Sequence, residues 1–146
     1  MNKSIVYLAT PYSHPDPAVM EQRYHAVNRA AATLMAQGEH IYSPITHCHP
    51  LAVTHDMPTN WEFWAEYDGA FLRASKKMLV LCLPGWRESV GVTAEIEIAR
   101  ELGIPVEYMD PRLLSGGTWE NCEAGGRHCA GIAHEQSTEQ LEEEKR

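Results

Sequence analysis

Apolar residues follow two rhythms along this chain. In "SIVYLATP", "HIYSP", "KKMLVLCLP" and "IPVEYMD" they run together in short blocks bounded by proline or polar residues. Such blocks predict strands buried on both faces. Between them the apolar positions recur every three or four residues, which predicts helices. The first helix is expected over residues 16–37, with Asp16 as N-cap, Pro17 as first helical residue and Gly38 ending it. A second covers residues 60–74 behind Thr59 as cap. A third follows Ser89 as cap and ends at Gly103. "YSHPDP" and "GWRE" read as loops, and "ITHCHPLAVTHDMPT" as a long loop of the kind that often carries function.

Strands alternating with helices imply right-handed crossovers and a parallel sheet. The expected fold is therefore a single doubly wound α/β domain over residues 1–110. Its ligand should sit where the strands end, at residues 10–14, 43–49 and 84–89. Residues 111–146 are Gly-rich and irregular, then charged, and form a C-terminal extension.

Helical phase isolates three charged residues. A helix turns about 100° per residue. In "SVGVTAEIEIARELGIPV", Val92, Ile96, Ile98, Ala99 and Leu102 share one arc, while Thr93, Glu97, Arg100 and Glu101 lie opposite. Glu95 falls inside the apolar arc, near the positive end of the helix dipole. Over residues 60–74, Trp61, Trp64, Ala65, Tyr67, Phe71 and Leu72 face inward, with Glu62, Glu66 and Arg73 outside. Asp68 lies among the inward set, flanked by Trp61 and Trp64. Arg23 likewise shares the arc of Val19, Ala26, Val27, Ala30 and Leu34. A buried carboxylate needs a partner or a purpose. Each acid alone reads as an ion-paired or loop-capping residue. Two in one small domain, both beside strand ends, point instead to the paired carboxylates of glycosidic cleavage. Burial would raise one pKa and the helix N-terminus would lower the other, separating their roles. Arg23 is either a snorkelling surface residue or an internal cation for a phosphate or for one of the acids.

Composition narrows the partners. The 146 residues carry a formal net charge of −8, much of it in "EQSTEQLEEEKR". A nucleic acid polymer is not an expected partner of so acidic a chain, although a small anion is allowed. No apolar run suits a signal peptide or a membrane span, and four cysteines do not make a disulfide framework, so a cytoplasmic, reduced protein is expected. Cys82 reads as buried filler.

"IVYLATPYS", "WAEYDGAFLRAS" and "LPGWRESVGVTAEIEIARELGIPV" resemble the nucleoside 2-deoxyribosyltransferase-like superfamily, which includes transferases and nucleotide N-hydrolases. The resemblance covers most of residues 4–110 in order. It implies a flavodoxin-like fold, which agrees with the element order. It also implies that Glu95 is the nucleophile, that Asp68 assists the departing base, and that Tyr7 on the first strand orients Glu95. Position 89 carries Ser, as in the hydrolases that bind a 5′-phosphate, rather than the Asp of many transferases. Ser89 and Gly91 at a helix N-terminus suit a phosphate, although an N-capping role alone explains a serine there. Thr93 and Glu97 stand where relatives often have Gly. The resemblance further implies a homodimer or higher homo-oligomer, with the C-terminal extension contacting a neighbouring subunit.

Thr10, Pro11, His47, His49 and Trp86 complete the expected substrate-binding set, because they lie on loops at strand ends. Trp86 either stacks on a base or closes its loop. The groups His47, Cys48, His49 and Cys122, His128, Cys129, His134 lack the spacing of a zinc site. No metal and no cofactor are expected. The expected activity is N-glycosidic cleavage of a (deoxy)ribonucleoside 5′-monophosphate through a glycosyl-enzyme on Glu95. The alternatives are a base-exchanging deoxyribosyltransferase, an NAD-type glycohydrolase and a non-catalytic nucleotide sensor.

Overall fold

A computed structural model describes residues 4–115. In chain order these form β1 (Ile5–Ala9), α1 (Pro17–Ala36), β2 (Ile41–Tyr42), α2 (Pro44–Thr54), α3 (Trp61–Arg73), β3 (Ser75–Leu81), α4 (Val90–Glu101), β4 (Val106–Met109) and a 3-10 turn, Pro111–Ser115. The strands make one all-parallel sheet in the order β2-β1-β3-β4. The domain is α/β, in a flavodoxin-like arrangement.

Strand alternation sorts the core into two layers. Val6, Leu8, Leu79 and Leu81 point to one face and pack on Val27, Ala30, Ala31 and Leu34 of α1. Tyr7, Ala9, Met78 and Val80 point to the other, against Leu72 of α3 and Val92, Ile96 and Ala99 of α4. The order in which strands are added reverses between β1 and β3: one leads outward to β2 through α1, the other to β4 through α4. Loops leaving such neighbours diverge and leave a crevice at the carboxyl edge of the sheet.

Three expected boundaries change. The stretch expected as a long loop is mostly α2, started by Pro44 and capped by Ser43, whose Oγ accepts from the Thr46 N–H at 3.2 Å. Cys48, His49 and Ala52 are its buried face, a helical spacing that Pro50 obscured. The N-cap of α3 is Asn60, not Thr59; the Thr59 carbonyl instead accepts from Ser13 Oγ and ties two loops together. Leu102, expected inward, is the C-cap of α4 and is exposed. Cys82 is half-buried rather than core. Asp16 and Ser89 cap α1 and α4 as expected, their side chains accepting from Ala18 and Val92 N–H groups. Among the described residues, no helix is long and apolar enough to cross a membrane.

Candidate active site

A cleft of about 310 Å³ opens at the carboxyl edge of the sheet. Thr10, Tyr12 and Ser13 contribute from the loop after β1, and Cys48, His49 and Ala52 from α2. Trp61, Trp64 and Asp68 contribute from α3, and residues 88–92 with Glu95 from the start of α4. Crossover topology brings these segments together from across the chain.

Glu95 and Asp68 both line the cleft, and each is only 6 % exposed. Tyr7 is fully buried on β1 and donates its hydroxyl to Glu95 Oε1 at 2.7 Å. Burial holds the Tyr7 phenol well above its ordinary pKa, reinforced by the Glu95 and Asp68 charges, so it stays a donor. Asp68 Oδ1 has no hydrogen-bond partner among the described residues. Burial pushes the Asp68 carboxyl up to about 7. It pushes Glu95 up to about 8, opposed by the Tyr7 hydrogen bond and reinforced by the Asp68 charge. The expected lowering by the helix N-terminus is therefore overturned. Glu95 is the sixth residue of α4, and the dipole acts mainly within the first turn. The result, among the described residues, is two buried carboxyls that burial raises toward neutrality, with no Lys or Arg lining the cleft beside them.

The start of α4 forms one rim. Ser89 Oγ accepts from Val92 N–H at 3.3 Å, and the first-turn N–H groups of Val90 and Gly91 have no acceptor within the helix. Glu88 and Glu62 also line the cleft, whereas no Lys or Arg does among the described residues.

Of the other expected site residues, Thr10 and His49 line the cleft and the rest do not. Arg23 reaches neither acid: its guanidinium donates to the carbonyls of Tyr12, Ser13 and Pro84, stapling the β1–α1 loop to the loop after β3. Gly85 makes that staple possible. Its φ is +88°, and a Cβ there would lie 2.8 Å from Arg23 Nη2. Trp86 closes its own loop, packed on Tyr108 with centroids 5.3 Å apart and on the Arg87 guanidinium; it faces a separate cavity and not the cleft. His47 is exposed on α2, outside the cleft lining. Pro11 is fully buried and absent from the lining, whereas Thr10 lines the cleft with a buried hydroxyl that has no partner among the described residues. His49 does line the cleft, but both its ring nitrogens are engaged, by Tyr12 and Glu21. Nothing in the sequence marks Tyr12 or Glu21 as site residues. Their only signal was proximity to a strand end and one helical turn, which many residues share.

Cys48 also lines the cleft, but burial and the Asp68 charge push its thiol up to about 12, which disfavours the thiolate. Among the described residues no group of three or more His, Cys, Asp or Glu converges as metal ligands. The cluster at Cys122, His128, Cys129 and His134, like the C-terminal extension, lies outside the described residues.

Residues 4–111 match the family described as Domain of unknown function (DUF1937). This chain belongs to that family. A search of curated proteins finds no match. As a member of the DUF1937 family, the chain has a matched region that takes in the whole sheet and every cleft-lining residue named above. The cleft is thus part of the family domain rather than of the extension.

Proposed function

We propose that this protein cleaves the N-glycosidic bond of a small nucleoside or its 5′-monophosphate. Glu95 attacks C1′ of the sugar as the base departs with a proton from Asp68, and water then resolves the glycosyl-enzyme. The observation that carries the reading is the Tyr7–Glu95 hydrogen bond beside a second buried acid at the base of a cleft. A retaining glycosidase needs two carboxyls on one bond, one attacking and one protonated. Burial raises both acids, so near neutral pH the pair keeps a proton, and the reaction uses the form in which Asp68 carries it and Glu95 is charged. Tyr7 favours the charged form of Glu95 and aims its other oxygen. A cleft of about 310 Å³ is at the small end of ligand sites and suits a mononucleoside better than a dinucleotide. Trp61 and Trp64 supply aromatic wall for a base.

In this reading, Ser89 and the N–H groups of Val90 and Gly91 receive the 5′ end of the sugar. Glu62 and Glu88 on the same lining oppose a phosphate there, so the monophosphate binds through the helix start alone. Water is the acceptor of the glycosyl group; a homo-oligomer in the cytoplasm completes the proposal. Chromatography of a panel of nucleosides and monophosphates tests it. Free base from at least one member, absent with Glu95→Gln, is expected. No free base from any member sinks the reading. Exchange of one base for another in the presence of a second base assigns the transferase instead.

A further inference from the structure

One group of side chains in the cleft wall plays no part in the chemistry above. His49 is 5 % exposed on α2. Its Nε2 lies 2.8 Å from Glu21 Oε2 on α1, and its Nδ1 lies 2.5 Å from the Tyr12 hydroxyl on the loop after β1. The imidazole is clamped by rings as well. Tyr24 stacks on it with centroids 4.3 Å apart, and Tyr12 meets it edge-on at 5.4 Å. Glu21 is itself held by His25, whose Nε2 lies 3.0 Å from Glu21 Oε1.

For a neutral imidazole the direction of these hydrogen bonds follows from the donor inventory. A carboxylate only accepts, so the bond to Glu21 puts the imidazole proton on Nε2. Nδ1 of the neutral ring is then an acceptor, and the single proton of Tyr12 is committed to it. Burial and the nearby Glu21 charge raise the Tyr12 pKa, which keeps that proton on the phenol. What remains on the Tyr12 oxygen is a lone pair, at a residue that lines the cleft.

We propose that Glu21, His49 and Tyr12 form a positioning relay that presents the Tyr12 oxygen to the cleft as a fixed acceptor for an N–H or O–H of the ligand. Tyr12 is the residue that touches the ligand; His49 and Glu21 act only through it. The relay rests on the proposed function solely for the identity of the ligand as a nucleoside. It selects for a donor at that place, because a ligand offering an acceptor instead would meet lone pair against lone pair.

Two measurements test it. Nitrogen-15 NMR of the full chain labelled at histidine, at pH 8, is expected to show His49 protonated at Nε2 and unprotonated at Nδ1. The opposite tautomer, or a ring protonated at both nitrogens, overturns the relay. In steady-state cleavage of the best substrate from the panel, Tyr12→Phe is expected to raise KM by about tenfold with little change in kcat, the scale of one lost hydrogen bond. His49→Gln raises KM similarly in the wild-type background and not further in the Tyr12→Phe background. Additive effects overturn the relay. Glu21→Ala, at a half-exposed position, provides the same comparison if the His49 variant fails to fold. If no panel member releases base, the functional reading falls, and the tautomer measurement decides the relay alone.

Discussion

Three acids are almost equally hidden from solvent, yet they live in opposite electrostatic worlds. Asp110, at the end of β4, is 4 % exposed, against 6 % for both Asp68 and Glu95. Asp110 is neutralised: Arg112 donates to it through its backbone N–H, Nε and Nη2. Burial raises Asp110, but those bonds and the Arg112 charge outweigh it and hold the carboxyl below its ordinary value. Among the described residues, Asp68 and Glu95 have no cation beside them and Glu95 accepts from the Tyr7 phenol; burial pushes both toward or past neutrality. A fold that pairs one buried acid so completely can evidently supply a cation where stability is the aim. Leaving two acids uncompensated in a cleft is the pattern of a site kept for chemistry.

The largest effects should come from breaking the unpaired acids. Glu95→Gln is expected to lower base release by about a thousandfold or more, since it removes the proposed nucleophile. Asp68→Asn should cost about 100-fold to 10,000-fold, the range of a positioned general acid, with the smallest loss on the substrate whose base departs most easily. Single-turnover rates on one preparation check both.

The next contrast is in stability against pH. Asp68 and Glu95 have folded pKa values raised above their unfolded ones. Their stabilising contribution is complete below about pH 4 and is lost as pH climbs through 7 to 8. Asp110 has the opposite sign: its contribution is present at neutral pH and is lost as pH falls below the ordinary aspartate range. Thermal unfolding should therefore show Asp68→Asn stabilising the chain at pH 9, by on the order of 2 kcal/mol, and doing nothing at pH 4. Arg112→Ala should destabilise at pH 7 by about 1 kcal/mol, a modest figure because Arg112 is half exposed, and by less at pH 3. Equal pH profiles for the two variants would erase the distinction between the regions.

The smallest expected effect sharpens it. Tyr7→Phe removes the one hydrogen bond that lowers Glu95. The pH–rate profile is expected to be bell-shaped, bounded by ionisation of the two acids, and this variant should move the limb set by Glu95 to higher pH with a rate loss of about tenfold at neutrality. An unmoved limb would mean that Tyr7 only fills space.

Helical phase was enough to single out Glu95 and Asp68, because an acid among Val92, Ile96 and Ala99, or beside Trp61 and Trp64, breaks a pattern visible in sequence order. The same phase argument found that Arg23 turns inward but not what it meets. Its acceptors are backbone carbonyls of Tyr12, Ser13 and Pro84, which carry no mark in a sequence. The parallel sheet was legible from continuous apolar runs. The helix Pro44–Thr54 was not, because Pro50 and exposed Leu51 and Val53 masked the spacing of Cys48, His49 and Ala52. The Glu21–His49–Tyr12 arrangement joins three elements across the fold, so no periodicity within one segment could announce it.

The central claim is a covalent bond between Glu95 and the sugar, and mass spectrometry of acid-quenched reactions addresses it most directly. Mixed with a panel substrate, the chain should gain the mass of one (deoxy)pentosyl group, located on the peptide containing Glu95 and absent in Glu95→Gln. Base release with no such adduct, or an adduct located on Asp68, would contradict the account.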